Sequence, residues 1–127
     1  MPHLPYSIEL HDSEISAIES GGGGILVKFS HAYVHKDGKG WSQKAELLIN
    51  SATLESDQTS YPAKVADGNL RTRKGPYHNL LTLPLATDGD VELEIEFFSG
   101  NTATIKGKGI DVVFTSEPVF IENVSII

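Results

Sequence analysis

The clearest pattern in the chain lies in its last third. Val91, Leu93, Ile95 and Phe97 alternate with Glu92, Glu94 and Glu96. A period of two places the two sets on opposite faces of an extended strand, so this segment predicts a strand with one apolar and one wet face. Ser99-Gly100-Asn101 interrupts it, and Ala103, Ile105 and Gly107 then alternate with Thr104, Lys106 and Lys108. A hairpin with a three-residue loop at 99 to 101 accommodates both patterns. It pairs Ile95 with Ile105, sets Glu94 opposite Lys106 and Glu92 opposite Lys108, and gives Asn101 the left-handed conformation such a loop needs. The core set is then Val91, Leu93, Ile95, Phe97, Ala103 and Ile105. A slip of one residue would bury a row of charges, which makes the choice of faces firm. Phe98 falls on the wet face, where it either packs under a neighbouring loop or marks an exposed contact for a partner.

The first third reads as a meander of three strands, over 14 to 19, 25 to 35 and 41 to 49. Gly21 to Gly24 form the first connection, because four glycines are too flexible for an element interior. Asp37-Gly38 forms the second, a two-residue hairpin signal. Residues 2 to 12 predict an irregular lead-in with one helical turn near 6 to 10. The middle is less regular. It contains a short strand at 52 to 55, a short helix between 54 and 66, a turn at Asp67-Gly68-Asn69 and a strand from Tyr77 to Leu83. Residues 110 to 114 and 119 to 124 supply two more strands. Lys-Gly-Lys-Gly at 106 to 109 suggests a bulge or bend. About nine short strands and almost no helix predict one all-β domain over 1 to 127, an antiparallel β-sandwich with jelly-roll-like wrapping.

Composition narrows the function classes. The chain has 127 residues, no cysteine and a formal net charge of −7 from seventeen acids and ten bases. Without cysteine there is no disulfide scaffold, thiolate metal site or cysteine nucleophile. The acidic balance argues against a nucleic-acid partner. No signal peptide is visible at Met1-Pro2-His3-Leu4-Pro5, and no run approaches the roughly 18 apolar residues of a membrane span, so no membrane association and a cytoplasmic location are expected.

Four groups of residues could carry chemistry. His11-Asp12-Ser13 has the residue types of a catalytic triad, but adjacent residues cannot converge as a triad must, and the same types cap turns. His31, Tyr33 and His35 share one strand face. His31 and His35 would lie about 13 Å apart along it, too far to share one ion, so no metal site is expected. Tyr33, Trp41 and Tyr77 offer aromatic rings near basic turns, the material of a carbohydrate platform. Arg71 and Arg73 belong to the densest basic run, suited to gripping a phosphate or carboxylate. Gly21 to Gly24 is not a phosphate loop, because no Gly-Lys-Ser/Thr and no helix follows. No cofactor is expected.

Leu10-His11-Asp12-Ser13, followed by a strand and a hairpin, resembles the opening of a group of small bacterial proteins. They are largely uncharacterised, and some are classed as immunity proteins of contact-dependent toxin systems. The resemblance covers roughly residues 10 to 35 and the all-β layout. It implies a cytoplasmic, non-catalytic protein with a protein partner, and the acidic charge would suit a basic toxin domain. The residues themselves show no convergent acid and base, nucleophile or metal spacing, which favours an interaction module over an enzyme. The alternative is a β-sandwich that binds a carbohydrate or small ligand.

Overall fold

The computed structural model describes residues 6 to 124. They form ten β-strands and no helix: β1 (Ser7–Gly21), β2 (Gly24–Lys36), β3 (Lys39–Asn50), β4 (Thr53–Ser56), β5 (Ala63–Thr72), β6 (Gly75–His78), β7 (Leu80–Thr82), β8 (Ala86–Phe97), β9 (Thr102–Phe114) and β10 (Val119–Asn123). The meander of the first third holds, since β1 pairs with β2 and β2 with β3, all antiparallel. Asp37-Gly38 makes the expected two-residue turn, both residues in the left-handed region at φ 56° and 70°. The glycine run is tighter than a four-residue loop. Gly22 and Gly23 alone turn, and Gly21 pairs with Gly24.

The sheet closes on itself. Its order runs β3-β2-β1-β5-β8-β9, and β9 then pairs back onto β3, so six strands make a barrel rather than the expected jelly-roll sandwich. The reason is strand length. β1 has 15 residues, β2 and β9 have 13, and β3 and β8 have 12, well above the usual five or six. Long strands that twist and carry bulges coil until their edges meet. Counting short strands hid this, because the bulges look like breaks in a sequence. β3 with β4, and β9 with β10, form two such interrupted runs lying antiparallel to one another.

The barrel is filled by one cluster of buried side chains that includes Ile8, Leu10, Val27, Phe29, Leu47, Leu70, Leu93 and Ile105. Its polarity, apolar within and charged outside, is the reverse of a membrane-spanning barrel. No helix among the described residues is long and apolar enough to cross a membrane.

The β8–β9 hairpin keeps the expected faces but not the expected partners. Val91, Leu93, Ile95, Phe97, Ala103 and Ile105 are all buried. Leu93, not Ile95, lies opposite Ile105, and Ile95 faces Ala103. The pairing has slid by two residues, which preserves every face. Glu92 therefore faces Lys106, and Asp90 faces Lys108 and pairs with it. The longer loop is held in place by Asn101, whose amide donates to the Gln58 carbonyl at 2.9 Å.

Two expectations for the middle and one for the lead-in fail. Residues 54 to 66 hold no helix, and β1 begins at Ser7 where a helical turn was expected. Asp67-Gly68-Asn69 is not a turn but the centre of β5, bulged between Val65 and Asp67. Gly68 is there for space: a Cβ would lie 2.6 Å from Leu10 Cδ1.

Candidate functional site

The His-Asp-Ser segment is a large bulge. On β1, Leu10 to Ser13 stand against the single residue Ala32 of β2, because Glu9 faces Tyr33 and Glu14 faces His31. Asp12 turns the chain in the left-handed region at φ 74°, a conformation that Asp tolerates. The surplus backbone groups are satisfied locally, as buried polar groups must be. The Ser13 hydroxyl donates to the Glu9 carbonyl at 2.6 Å and accepts from the Tyr33 N–H at 3.0 Å. The Leu10 N–H donates to the Asn79 carbonyl at 2.5 Å, and the Asn79 N–H donates to the Gly68 carbonyl at 2.7 Å. Asn79 Oδ1 accepts from the Gly68 N–H at 2.8 Å. Leu10 then fills the notch over Gly68. Ser13 is thus committed to the backbone and almost wholly buried, which removes it as a nucleophile.

The bulge also re-aims side chains. In a regular strand residues 9 and 11 share a face and residue 12 points away. Here Glu9, His11 and Asp12 bring one ligand atom each within 4.8 Å of one another. His11 Nε2 lies 3.6 Å from Glu9 Oε2 and 3.6 Å from Asp12 Oδ2. His35, on the facing strand, sets its Nε2 3.2 Å from Glu9 Oε1. Tyr33 stacks at a tilt on His35, ring centres 5.0 Å apart, and its hydroxyl donates to Glu122 of β10. Burial, and then the hydrogen bond and charge of Glu122, push the Tyr33 phenol above its ordinary value. Gly40 makes this reach possible, since a Cβ there would collide with the Tyr33 hydroxyl oxygen. The result is an outer-face cluster of three carboxylates, two imidazoles and one phenol. Strand-face spacing points to His31 and His35, with another histidine such as His78 needed beside one of them, and gives no signal for Glu9 or Glu122. A His-Asp pair two residues after a Glu was the available signal, but only the bulge makes it convergent.

The other candidates scatter. His31 is exposed, with Nδ1 3.1 Å from the Ser42 hydroxyl, and takes no part in the cluster. Trp41 lies opposite the inward Val34, Tyr77 lies opposite the buried Leu70, and Tyr33 points outward, so the three rings share no platform. Arg71 and Arg73 line a groove of about 650 Å³ with Asp90, Glu92 and Lys106. Their charges are already answered: Arg71 lies 2.5 Å from Glu92 and 3.7 Å from Glu94, and Arg73 lies 3.0 Å from Asp88. Phe98 is 69% exposed, so of its two possible placements it takes the open one. Its surroundings are mostly polar, including Gln58, Ser60, Lys64 and Asn101.

Three consecutive apolar residues are exposed elsewhere, on β10. Val119, Phe120 and Ile121 are 64%, 50% and 45% exposed. Among the described residues β10 pairs only with β3, so its far edge presents a row of backbone donors and acceptors. Phe120 rests edge-on against Trp41, ring centres 5.6 Å apart. The other end strand, β4, has a single apolar side chain, Leu54, which packs on the core. Comparison with protein-family models, with curated proteins and with solved structures returns no match to this chain.

Proposed function

We propose that the chain is a non-catalytic interaction module that receives an extended, basic segment of a protein partner along β10. The observation that carries this reading is the β10 edge: three adjacent exposed apolar residues on a strand that, among the described residues, is paired on one side only. Strand addition to such an edge draws affinity from main-chain hydrogen bonds and specificity from the side chains that flank them. Natural edges are usually guarded by charge, proline or shortness. Glu117 and Pro118 guard only the entry to β10. The sign of the partner follows from charge. The chain carries −7, and Glu117 precedes β10 and Glu122 lies on it, against the single base Lys39 paired with Asn123, a balance that favours a cationic segment and opposes a second copy. The resemblance of residues 10 to 35 to small bacterial immunity proteins supports the same class: a cytoplasmic protein that masks a basic toxin domain.

The groove at Arg71 and the scattered aromatic rings give a carbohydrate reading less support, since Tyr33, Trp41 and Tyr77 share no common face. The test is selection of a displayed library of random peptides against the chain. Enrichment of sequences that alternate apolar and Lys/Arg residues, with binding abolished by Phe120→Asp and unaffected by Phe98→Ala, is expected. Enrichment that survives Phe120→Asp, or a chain that dimerises through β10 in sedimentation experiments, would overturn the reading.

A further inference from the structure

We infer that Glu9, His11 and Asp12 form a binding site for a divalent first-row transition cation of the zinc type. The inference does not rest on the β10 reading. Zinc bonds to nitrogen and oxygen are about 2.0–2.1 Å long, and tetrahedral angles then put neighbouring ligand atoms about 3.3 Å apart. His11 Nε2 stands 3.6 Å from each of its two carboxylate neighbours, and all three ligand atoms lie within 4.8 Å of one another. A shift of a few tenths of an ångström brings the His11 edges to the ligand spacing. The donor set, one imidazole nitrogen and two carboxylate oxygens, suits zinc, cobalt and manganese and excludes the soft cations that need sulfur.

A second observation points the same way. His35 is 5% exposed, its Nδ1 meets no hydrogen-bond partner among the described residues, and its Nε2 is aimed at Glu9 Oε1. The His11 Nδ1 atom is likewise buried without a partner among the described residues. Both rings therefore face the cluster through Nε2 alone. His35 is the positioning residue. By donating to Oε1 it leaves Oε2 of Glu9 turned toward His11 and Asp12, the role a supporting hydrogen bond plays around bound metals. The bulge is what makes the site, since it alone brings residue 12 to the side of residues 9 and 11. Asp12 is 58% exposed, so the remaining coordination position is open to water or to a ligand atom from a partner.

Titration calorimetry of the full chain with zinc chloride, and cobalt(II) absorption, test this. One ion per chain is expected, with Kd below about 100 µM. His11→Ala and Asp12→Asn should each weaken binding at least about tenfold. Asn tolerates the left-handed backbone at 12, and both side chains are partly exposed, so the variants should fold, as circular dichroism would verify. His35→Gln keeps an N–H for Glu9 and should retain the cobalt spectrum, whereas His35→Leu should alter it. His31→Ala, and replacement of His3, which lies outside the described residues, should change nothing. Absence of saturable binding, binding that survives His11→Ala, or binding lost with His3 would overturn the inference.

Discussion

The bulge that shapes the cluster depends on one steric fit, Leu10 in the notch of Gly68, and a double-mutant cycle measures it. Leu10 is fully buried, so Leu10→Ala should destabilise by about 2–5 kcal/mol through lost burial and a cavity. Gly68→Ala puts a Cβ 2.6 Å from Leu10 Cδ1, 3.0 Å from its Cβ and 3.3 Å from its Cγ. Overpacking of this kind costs about 1–3 kcal/mol. Its backbone is not in the left-handed region, so alanine fits and recovers about 0.4–1 kcal/mol by restricting the unfolded chain. The net expectation for Gly68→Ala alone is a loss of about 1–2 kcal/mol. In the Leu10→Ala background Cδ1 and Cγ are gone, and the same substitution should be close to neutral. The coupling energy is therefore about 1–2 kcal/mol, favouring the double variant. Urea denaturation read by circular dichroism, with a common slope, gives all four stabilities. Additivity to within about 0.5 kcal/mol would refute the fit, and with it the account of how the bulge is held.

Three further outcomes follow from the same contacts. Ser13→Ala leaves the Tyr33 N–H without its acceptor and should lower stability by about 1–3 kcal/mol in the same denaturation assay, with Ser13→Thr less damaging. The Tyr33 phenol is raised by burial and by Glu122, so its contribution to stability is complete below the ordinary tyrosine value near 10 and lost as pH rises past it. Tyr33→Phe should flatten the alkaline arm of a stability profile and loosen β10 from the barrel. Asp67 is lowered first by its hydrogen bond with His78 and then by Asn79, so its contribution is present above the ordinary carboxylate range and lost as pH falls through its lowered value. Asp67→Asn should flatten the acid arm of thermal melts recorded against pH.

Much of the fold was legible because period-two alternation reports faces directly. The six buried residues of the β8–β9 hairpin and the Asp37-Gly38 turn were read from spacing and turn chemistry alone. Alternation cannot distinguish a register from one two residues away, since both keep every face, and Leu93 rather than Ile95 met Ile105 for that reason. Closure into a barrel was illegible because it depends on a contact between β3 and β9, some sixty residues apart, and leaves no local pattern. The site was hidden for a related reason. Glu9, His11 and Asp12 read as a polar lead-in until the Asp12 backbone, Ser13 and Asn79 fold four residues into a bulge. Gly68, which looked like a turn residue, is the space that bulge needs.

The claim that β10 is the working surface is tested most directly by amide-resolved nuclear magnetic resonance of the isotopically labelled chain. The probe is a peptide of alternating valine and lysine, titrated with and without Phe120→Asp. Saturable shift changes and slowed amide exchange centred on Val119 to Asn123, with smaller changes at the neighbouring Trp41 and none at Phe98 or Arg71, are expected. A binding footprint centred on Arg71 and Lys106, or no saturable change along β10, would contradict the account.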